Sequence, residues 1–347
     1  MRMANEPHQT ASLNAFRKDK AKRRNASRKL RMHFCVPLVT ALLLLVSFIA
    51  LKGCSDSVYI SFGNHSNIAH IIRSFDEVEA FKLLEEQVAM GARVPNTDAH
   101  KKCMLWLEKQ MKKYTDQVHI QHFEVSWRNE TYKLANIIAL FAGLSGDTLL
   151  IGTHWDCHPT ADKDKDLAKR TEPVPGANDG ASGTAVLLEL AKVLKTYTPP
   201  ITVMLALFDG EDFGEYTYGS KHFVSSPTPY MPDAVIIIDM VGDADLRISN
   251  ELNSIEHSRK LWETLMESVR ALSYGKYFGG SNVRISDDHI PFIKAGKEAI
   301  LLIDFDYPYW HTTDDTPDKC SQASLGIIGR LLIRFIFVDA KKFFGSN

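Results

Sequence analysis

Five side chains of the kind that hold a metal stand in this chain where an apolar run gives way to a turn. The clearest case is Val203-Met204-Leu205-Ala206-Leu207-Phe208, followed by Asp209-Gly210-Glu211-Asp212-Phe213, three acids around one glycine. A short apolar run bounded by turn residues reads as a buried strand of an α/β sheet. Ligands of open α/β sheets bind outside the carboxyl ends of the strands. Two consecutive acids there point in different directions, so one can hold a cation while its neighbour stays free as a base. His154 ends the apolar run from Thr148, Asp179 lies in the turn Gly176–Gly180, Asp239 closes the run from Ala234, and His311 comes after the run Ala299–Ile303. Singly, each has an ordinary explanation as a solvated turn acid, a core histidine or a helix cap. Together with Asp212, on one sheet edge, they make the mixed carboxylate and imidazole set that a zinc ion with an open position accepts.

The elements that must position these groups are set by periodicity. Asp76–Met90 has helical spacing, and Asn96 or Thr97 caps a second helix through Tyr114 that buries Cys103, Leu105, Leu107 and Met111. Val118–Val125 and Tyr132–Phe141 alternate like paired strands. A charged loop with three prolines, Asp156–Ala177, is of the length that covers a site. Helices are expected over Ala181–Tyr197, Tyr218–Ser225, Glu256–Leu272 and Gln322–Phe343, with a polar turn at Ser286–Phe292. Strands and helices alternate, so residues 68–347 should form a single three-layer α/β domain whose central, mostly parallel mixed sheet is flanked by helices.

Charge is divided unevenly along the 347 residues. Residues 1–53 hold eleven of the 41 Lys/Arg and two of the 42 Asp/Glu, which leaves 30 basic and 40 acidic residues in the remainder. A body that acidic is a poor partner for nucleic acid, whose phosphates need clustered Lys/Arg. The basic run within residues 1–33 precedes an uncharged stretch, Phe34–Leu51, inside a segment 34–53 that reads as a membrane anchor or a lipoprotein signal. The positive-inside rule places the chain beyond Leu51 outside the cytoplasm, tethered to the membrane. Leu51-Lys52-Gly53-Cys54-Ser55 resembles a lipobox, so a lipoprotein signal with Cys54 lipidated stands beside an uncleaved signal anchor. Residues 54–67 read as a linker. Asn64-His65-Ser66 and Asn129-Glu130-Thr131 match the glycosylation sequon, relevant only in a eukaryotic secretory route. Five scattered cysteines do not make a disulfide scaffold.

His154-x-Asp156, Gly176-Ala177-Asn178-Asp179-Gly180-Ala181-Ser182-Gly183, Asp209-Gly210-Glu211-Asp212, Ile238-Asp239-Met240-Val241-Gly242 and Trp310-His311-Thr312 resemble, in order, the motifs of the zinc aminopeptidase and glutaminyl cyclase superfamily. The resemblance covers roughly residues 70–345 and implies a zinc-exopeptidase-like fold. It implies that Asp179, Asp212 and His311 ligate zinc, that Glu211 is the free general acid/base, and that a second zinc, where present, adds His154 and Asp239 with Asp179 bridging. Many relatives carry glutamate where this chain has Asp212, so the backbone must come closer here.

Two details resemble the cyclases. In Asp287-Asp288-His289 the first aspartate would face substrate, and Trp310, just before the ligand, would wall the pocket for a glutamine side chain. The resemblance then implies a zinc-dependent glutaminyl-peptide cyclotransferase acting on peptide or protein amino termini, with Glu211, Asp239 and Asp287 catalytic. The alternatives are a dinuclear zinc aminopeptidase and, from a third class, a non-catalytic ectodomain.

Overall fold

The computed structural model describes residues 67–345. The basic tail, the apolar segment Phe34–Leu51, Cys54 and the sequon at Asn64 lie outside them. Among the described residues, no helix is long and apolar enough to cross a membrane. Ile71–Asn347 is one compact unit, and the site lies within it.

The amino-terminal helices are α1 (Glu77–Val88) and α2 (Asp98–Met111), capped by the side chains of Asp76 and Thr97. The α2 core face is His100, Cys103, Leu107, Gln110 and Met111, an i, i+3, i+4 stripe. Leu105, expected on that face, falls on the opposite side of the helix and is exposed.

Strands β1 (Val118–Trp127) and β2 (Glu130–Phe141) form an antiparallel hairpin. Its two turn residues, Arg128 and Asn129, both have positive φ, as a tight two-residue hairpin turn requires. Next come β3 (Thr148–His154), α3 (Gly183–Thr196), β4 (Thr202–Phe208), α4 (Tyr218–Ser225) and β5 (Ala234–Asp239). The order of the six-stranded sheet is β1-β2-β4-β3-β5-β8, with β8 at Glu298–Ile303. Strands β4, β3, β5 and β8 run parallel, while β2 is antiparallel to β4.

Both faces of the sheet are covered. On one, Leu150, Met204, Phe208, Val235, Ile237 and Leu301 pack with Phe223 of α4 and with Phe292 of α7 (His289–Lys294). Their strand neighbours Leu149, Ile151, Leu205, Ile236 and Leu302 point the other way and are also fully buried. Two-sided burial explains why these strands read as continuous apolar runs in the sequence.

The remaining elements are less regular than periodicity suggests. The helix expected over Glu256–Leu272 is two, α5 (Leu252–His257) and α6 (Arg259–Ala271), broken at Ser258. There the Ser258 hydroxyl accepts the Ala299 N–H of β8. The expected polar turn at Ser286–Phe292 runs into α7. A small parallel pair, β6 (Ile248–Glu251) with β7 (Phe278–Val283), has no counterpart among the expected elements. The closing helix divides into α8 (Gln322–Arg334) and α9 (Ala340–Phe344) around a wider, underwound turn at Phe335–Asp339.

Candidate metal centre

The parallel strands deliver their carboxyl ends to one edge. His154 is the last residue of β3 and Asp239 the last of β5. Glu211 and Asp212 lie three and four residues beyond β4, after Gly210, whose φ is +74°. Asp179 sits in an irregular turn, Ala177–Ser182, before α3, and does not take helical dihedrals itself. Its carboxylate faces His154 at 3.0 Å and His311 at 3.8 Å rather than capping the helix. At Gly180 (φ +98°) a Cβ would lie 2.7 Å from the Asp156 carbonyl oxygen and 3.1 Å from the His154 ring, so only glycine fits.

These residues give two groups of donors, each with its ligand atoms within 4.8 Å of one another: Asp179, Asp212 and His311, and His154, Asp179 and Asp239; a third such group among the described residues joins His311 to His158 and Asp162 of the covering loop. His311 Nε2 lies 3.1 Å from Asp212 Oδ1. His154 Nε2 lies 3.0 Å from Asp179 Oδ1 and 3.1 Å from Asp239 Oδ1. All five residues are buried. Buried like charges at this density are unfavourable without a cation. Oδ2 of Asp179 and Oδ2 of Asp212 are buried without a hydrogen-bond partner. Those orphaned oxygens beside an imidazole are what a zinc ion would satisfy, so the residues present fit the metal.

A ring of supporting contacts fixes the cluster. Asp156 Oδ1 and Oδ2 accept the N–H groups of Glu211 and Asp212 at 3.1 and 3.2 Å, while Oδ1 faces His154 Nδ1 at 3.5 Å. Asp315 accepts from the N–H groups of Asn178 and Asp179 and from the Tyr307 hydroxyl. The Ser182 hydroxyl accepts the Val241 N–H, and Asn178 Oδ1 the Gly242 N–H, tying the Asp179 turn to the Asp239 turn. Arg93, fully buried, donates to the carbonyls of Trp155, Pro175 and Gly176 at both ends of the covering loop. His311, with φ +53°, is oriented by Asp162 of that loop, whose carboxylate lies 2.9 Å from Nδ1.

Sequence reasoning brings together every residue of the cluster but leaves these supports without a role. Asp156 lies in a stretch already singled out, whereas Asp315, Asp162 and Arg93 carry no local signal.

Beside the cluster lies a cavity of about 80 Å³ lined by Glu211, Asp239, Asp287, Tyr216, Phe305 and Trp310, among others. Trp310 packs between Phe305 (5.1 Å) and His311 (4.3 Å). Asp287 opens onto the cavity, while Asp288 turns away and accepts a hydrogen bond from Ser220. Burial, then the carboxylates of Asp287 and Asp212, hold Glu211 well above the ordinary carboxylate range. Asp287 is raised in the same way, by burial and by Asp239 and Asp288. Burial disfavours the charged His311 ring, but Asp212 and Asp179 more than offset it and carry the ring to about 9. The arrangement can hold a divalent cation beside two unligated carboxylates, Glu211 and Asp287, whose basicity is raised, inside a pocket sized for a single short side chain.

Comparison with known proteins points the same way. Residues 136–336 match peptidase family M28. The chain is 27% identical over 201 residues to the bovine glutaminyl-peptide cyclotransferase, covering 46% of this chain and 55% of that one. It is 31% identical over 210 residues to an aminopeptidase of Bacillus subtilis, covering 56% of this chain and 42% of that one. The chain thus spans about half the length of these two relatives. Among solved structures, the glutaminyl cyclase of Tannerella forsythia superposes with a TM-score of 0.73 at 31% identity, covering 76% of this chain and 99% of that one. A leucine aminopeptidase precursor from Bacteroides thetaiotaomicron gives 0.73 at 28% identity, covering 76% and 97%.

Proposed function

The chain belongs to peptidase family M28, a zinc-dependent enzyme family, and we propose that it is a glutaminyl-peptide cyclotransferase, converting amino-terminal glutamine to pyroglutamate with release of ammonia. The observation that carries this reading is the division of the adjacent acids: Asp287 joins Glu211 and Asp239 in the cavity, and Asp288 does not. The Trp310 and Phe305 wall supports it, because it suits the flat carboxamide of a glutamine side chain.

Asp179, Asp212 and His311 would hold one zinc ion, which supplies Lewis acidity toward the γ-carboxamide oxygen. The α-amine nitrogen of the substrate attacks the carboxamide carbon, a C–N bond forms, and the bond to the carboxamide nitrogen breaks. Glu211 takes the proton from the attacking amine and returns it to the departing nitrogen, which leaves as ammonia. Its raised basicity brings it nearer the working pH, where a proton shuttle is most efficient. Asp239 and Asp287 accept hydrogen bonds from the amine and orient it. Ring closure is intramolecular, so this positioning accounts for much of the acceleration. The segment 34–53 would tether the domain outside the cytoplasm, either as an uncleaved signal anchor or as a lipoprotein signal that leaves Cys54 lipidated.

One observation favours a second reading. His154 stands within hydrogen-bonding distance of Asp179 and Asp239 in a complete second donor group, as a dinuclear aminopeptidase would need. There Glu211 would take a proton from water attacking the first peptide bond.

Mass spectrometry of a Gln-initiated peptide separates the two. Loss of ammonia is expected, and loss of the first residue would overturn the cyclase reading. Glu211→Gln, similar in size but unable to accept the proton, should retain zinc and lose roughly 10²–10⁴-fold in turnover. Rescue of that variant by added zinc would mean Glu211 is a ligand instead.

A further inference from the structure

A second cavity, of about 420 Å³, adjoins the catalytic one between α4 and α7. That volume is within the range of pockets that take up small ligands. Tyr216 and Ser286 line both cavities, so the two adjoin at these residues. The outer cavity is lined further by Glu215, Lys221, Ile290 and Lys294.

We propose that this groove holds the residues next to the substrate's amino-terminal one and favours acidic side chains there. The proposal rests on the reading of the inner cavity as the pocket for the amino-terminal residue. A peptide with its first side chain in the inner cavity leaves it as extended backbone, and on the side of Tyr216 and Ser286 it meets the groove. Successive residues of an extended chain advance by about 3.3 Å, so the second to fourth residues fall along it.

The charge of the groove selects among such peptides. Lys221 donates to the backbone carbonyls of Glu215 and Tyr216 at 3.2 and 2.8 Å, contacts that leave its charge uncompensated. Among the described residues, neither Lys221 nor Lys294 has a carboxylate within 4.0 Å. Both are exposed, as is Glu215, the single acid of the lining. Two ammonium groups against one carboxylate make this concave surface basic, although the body of the chain carries 40 acidic and 30 basic residues. Lone surface lysines are ordinary, but this pair lines a cavity that adjoins the catalytic pocket. Long-range attraction to them also draws acidic peptides toward the mouth.

Binding of two peptides tests this directly. Gln-Ala-Asp-Glu and Gln-Ala-Lys-Lys, each with a carboxyl-terminal rhodamine, are titrated by fluorescence anisotropy with the zinc-loaded full chain carrying Glu211→Gln, so that turnover does not intervene. The acidic peptide should bind about three- to tenfold more tightly, the size expected of two exposed ion pairs. The preference should shrink in 1 M salt, where the Debye length is about 3 Å. Lys294→Glu should abolish or invert it. Lys221→Gln should weaken it, and serves as a second variant because Lys221 also anchors the Glu215–Tyr216 turn. Equal affinities, a preference unchanged by Lys294→Glu, or no binding of either peptide would overturn the proposal. Product analysis with the wild-type chain is a separate outcome. Release of the first residue instead of ammonia would refute the cyclase reading while leaving the peptide preference to stand or fall on the anisotropy.

Discussion

The two donor groups share Asp179 and differ in what holds the rest. His154 and Asp239 are terminal residues of β3 and β5, neighbouring parallel strands, so the sheet itself sets their separation. Their contacts close on one another: His154 Nε2 faces a carboxylate oxygen of each partner at about the distance of an ordinary hydrogen bond. Asp212 and His311 stand on turns beyond β4 and β8, and His311 relies on strained backbone and on Asp162 to aim its ring. In that group Oδ2 of Asp179 and Oδ2 of Asp212 have no partner. The sheet-fixed pair, His154 and Asp239, leaves only the ring nitrogen Nδ1 of His154 without a hydrogen bond, whereas the turn-borne group leaves two carboxylate oxygens. Metal demand therefore falls on the less rigid of the two.

The largest expected effect breaks this comparison at its shared member. Asp179→Ala removes a donor from both groups, and zinc content and turnover should both fall below detection. His154→Ala should leave zinc content near that of wild type, because the orphaned carboxylate oxygens belong to Asp179 and Asp212 and remain in place. Elemental analysis of the purified proteins decides. Two zinc ions per wild-type chain, dropping to one in His154→Ala, would make the sheet-fixed group a metal site and bring the aminopeptidase reading forward.

The same contrast explains what can be read from the sequence. Strand-end groups such as His154 and Asp239 announce themselves, since two-sided burial leaves an apolar run that stops at a polar residue. Cap positions are equally legible, as at Asp76 and Thr97, because local hydrogen bonding decides them. His311 is found only through its motif, being eight residues beyond its strand with nothing periodic to mark it. Asp162 and Arg93 are invisible, since their roles depend on where a covering loop of charged residues and prolines comes to rest. The β6–β7 pair escapes notice for a similar reason. Its strand Phe278–Val283 contains two glycines and only partly buried or exposed residues, so no alternation marks it. Tertiary contacts also divide the Glu256–Leu272 periodicity, at Ser258, where a buried hydroxyl serves β8.

A smaller effect probes the tether of the turn-borne group. Asp162→Asn keeps the shape but removes the charge that pairs with His311 Nδ1. Loss of such a carboxylate behind a ligand imidazole costs about 10–100-fold in metal affinity. Competition with a chelator should show that loss, while the zinc-saturated enzyme keeps most of its turnover. Unchanged zinc affinity would mean that the backbone of the 309–315 turn alone fixes the ring, and the two groups would then be equally rigid.

The smallest effect is a displacement along the pH axis, and it asks whether the cavity acids act on Glu211 as charges. As a base, Glu211 must be ionised, so turnover falls as pH drops through its pKa. Burial, Asp287 and Asp212 all raise that pKa, while a bound zinc ion would lower it. Asp287→Asn removes one like charge while leaving burial and Asp212 in place, so the pKa must fall and the limb must move to lower pH. The substrate amine also titrates, but identically for both enzymes, so it cancels in a ratio. The ratio of variant to wild-type kcat/KM should therefore rise as pH falls, even though the variant is the slower enzyme throughout. A ratio that is flat, or that falls toward acid pH, would show that Asp287 does not set the basicity of Glu211. Its part would then be confined to orienting the amine.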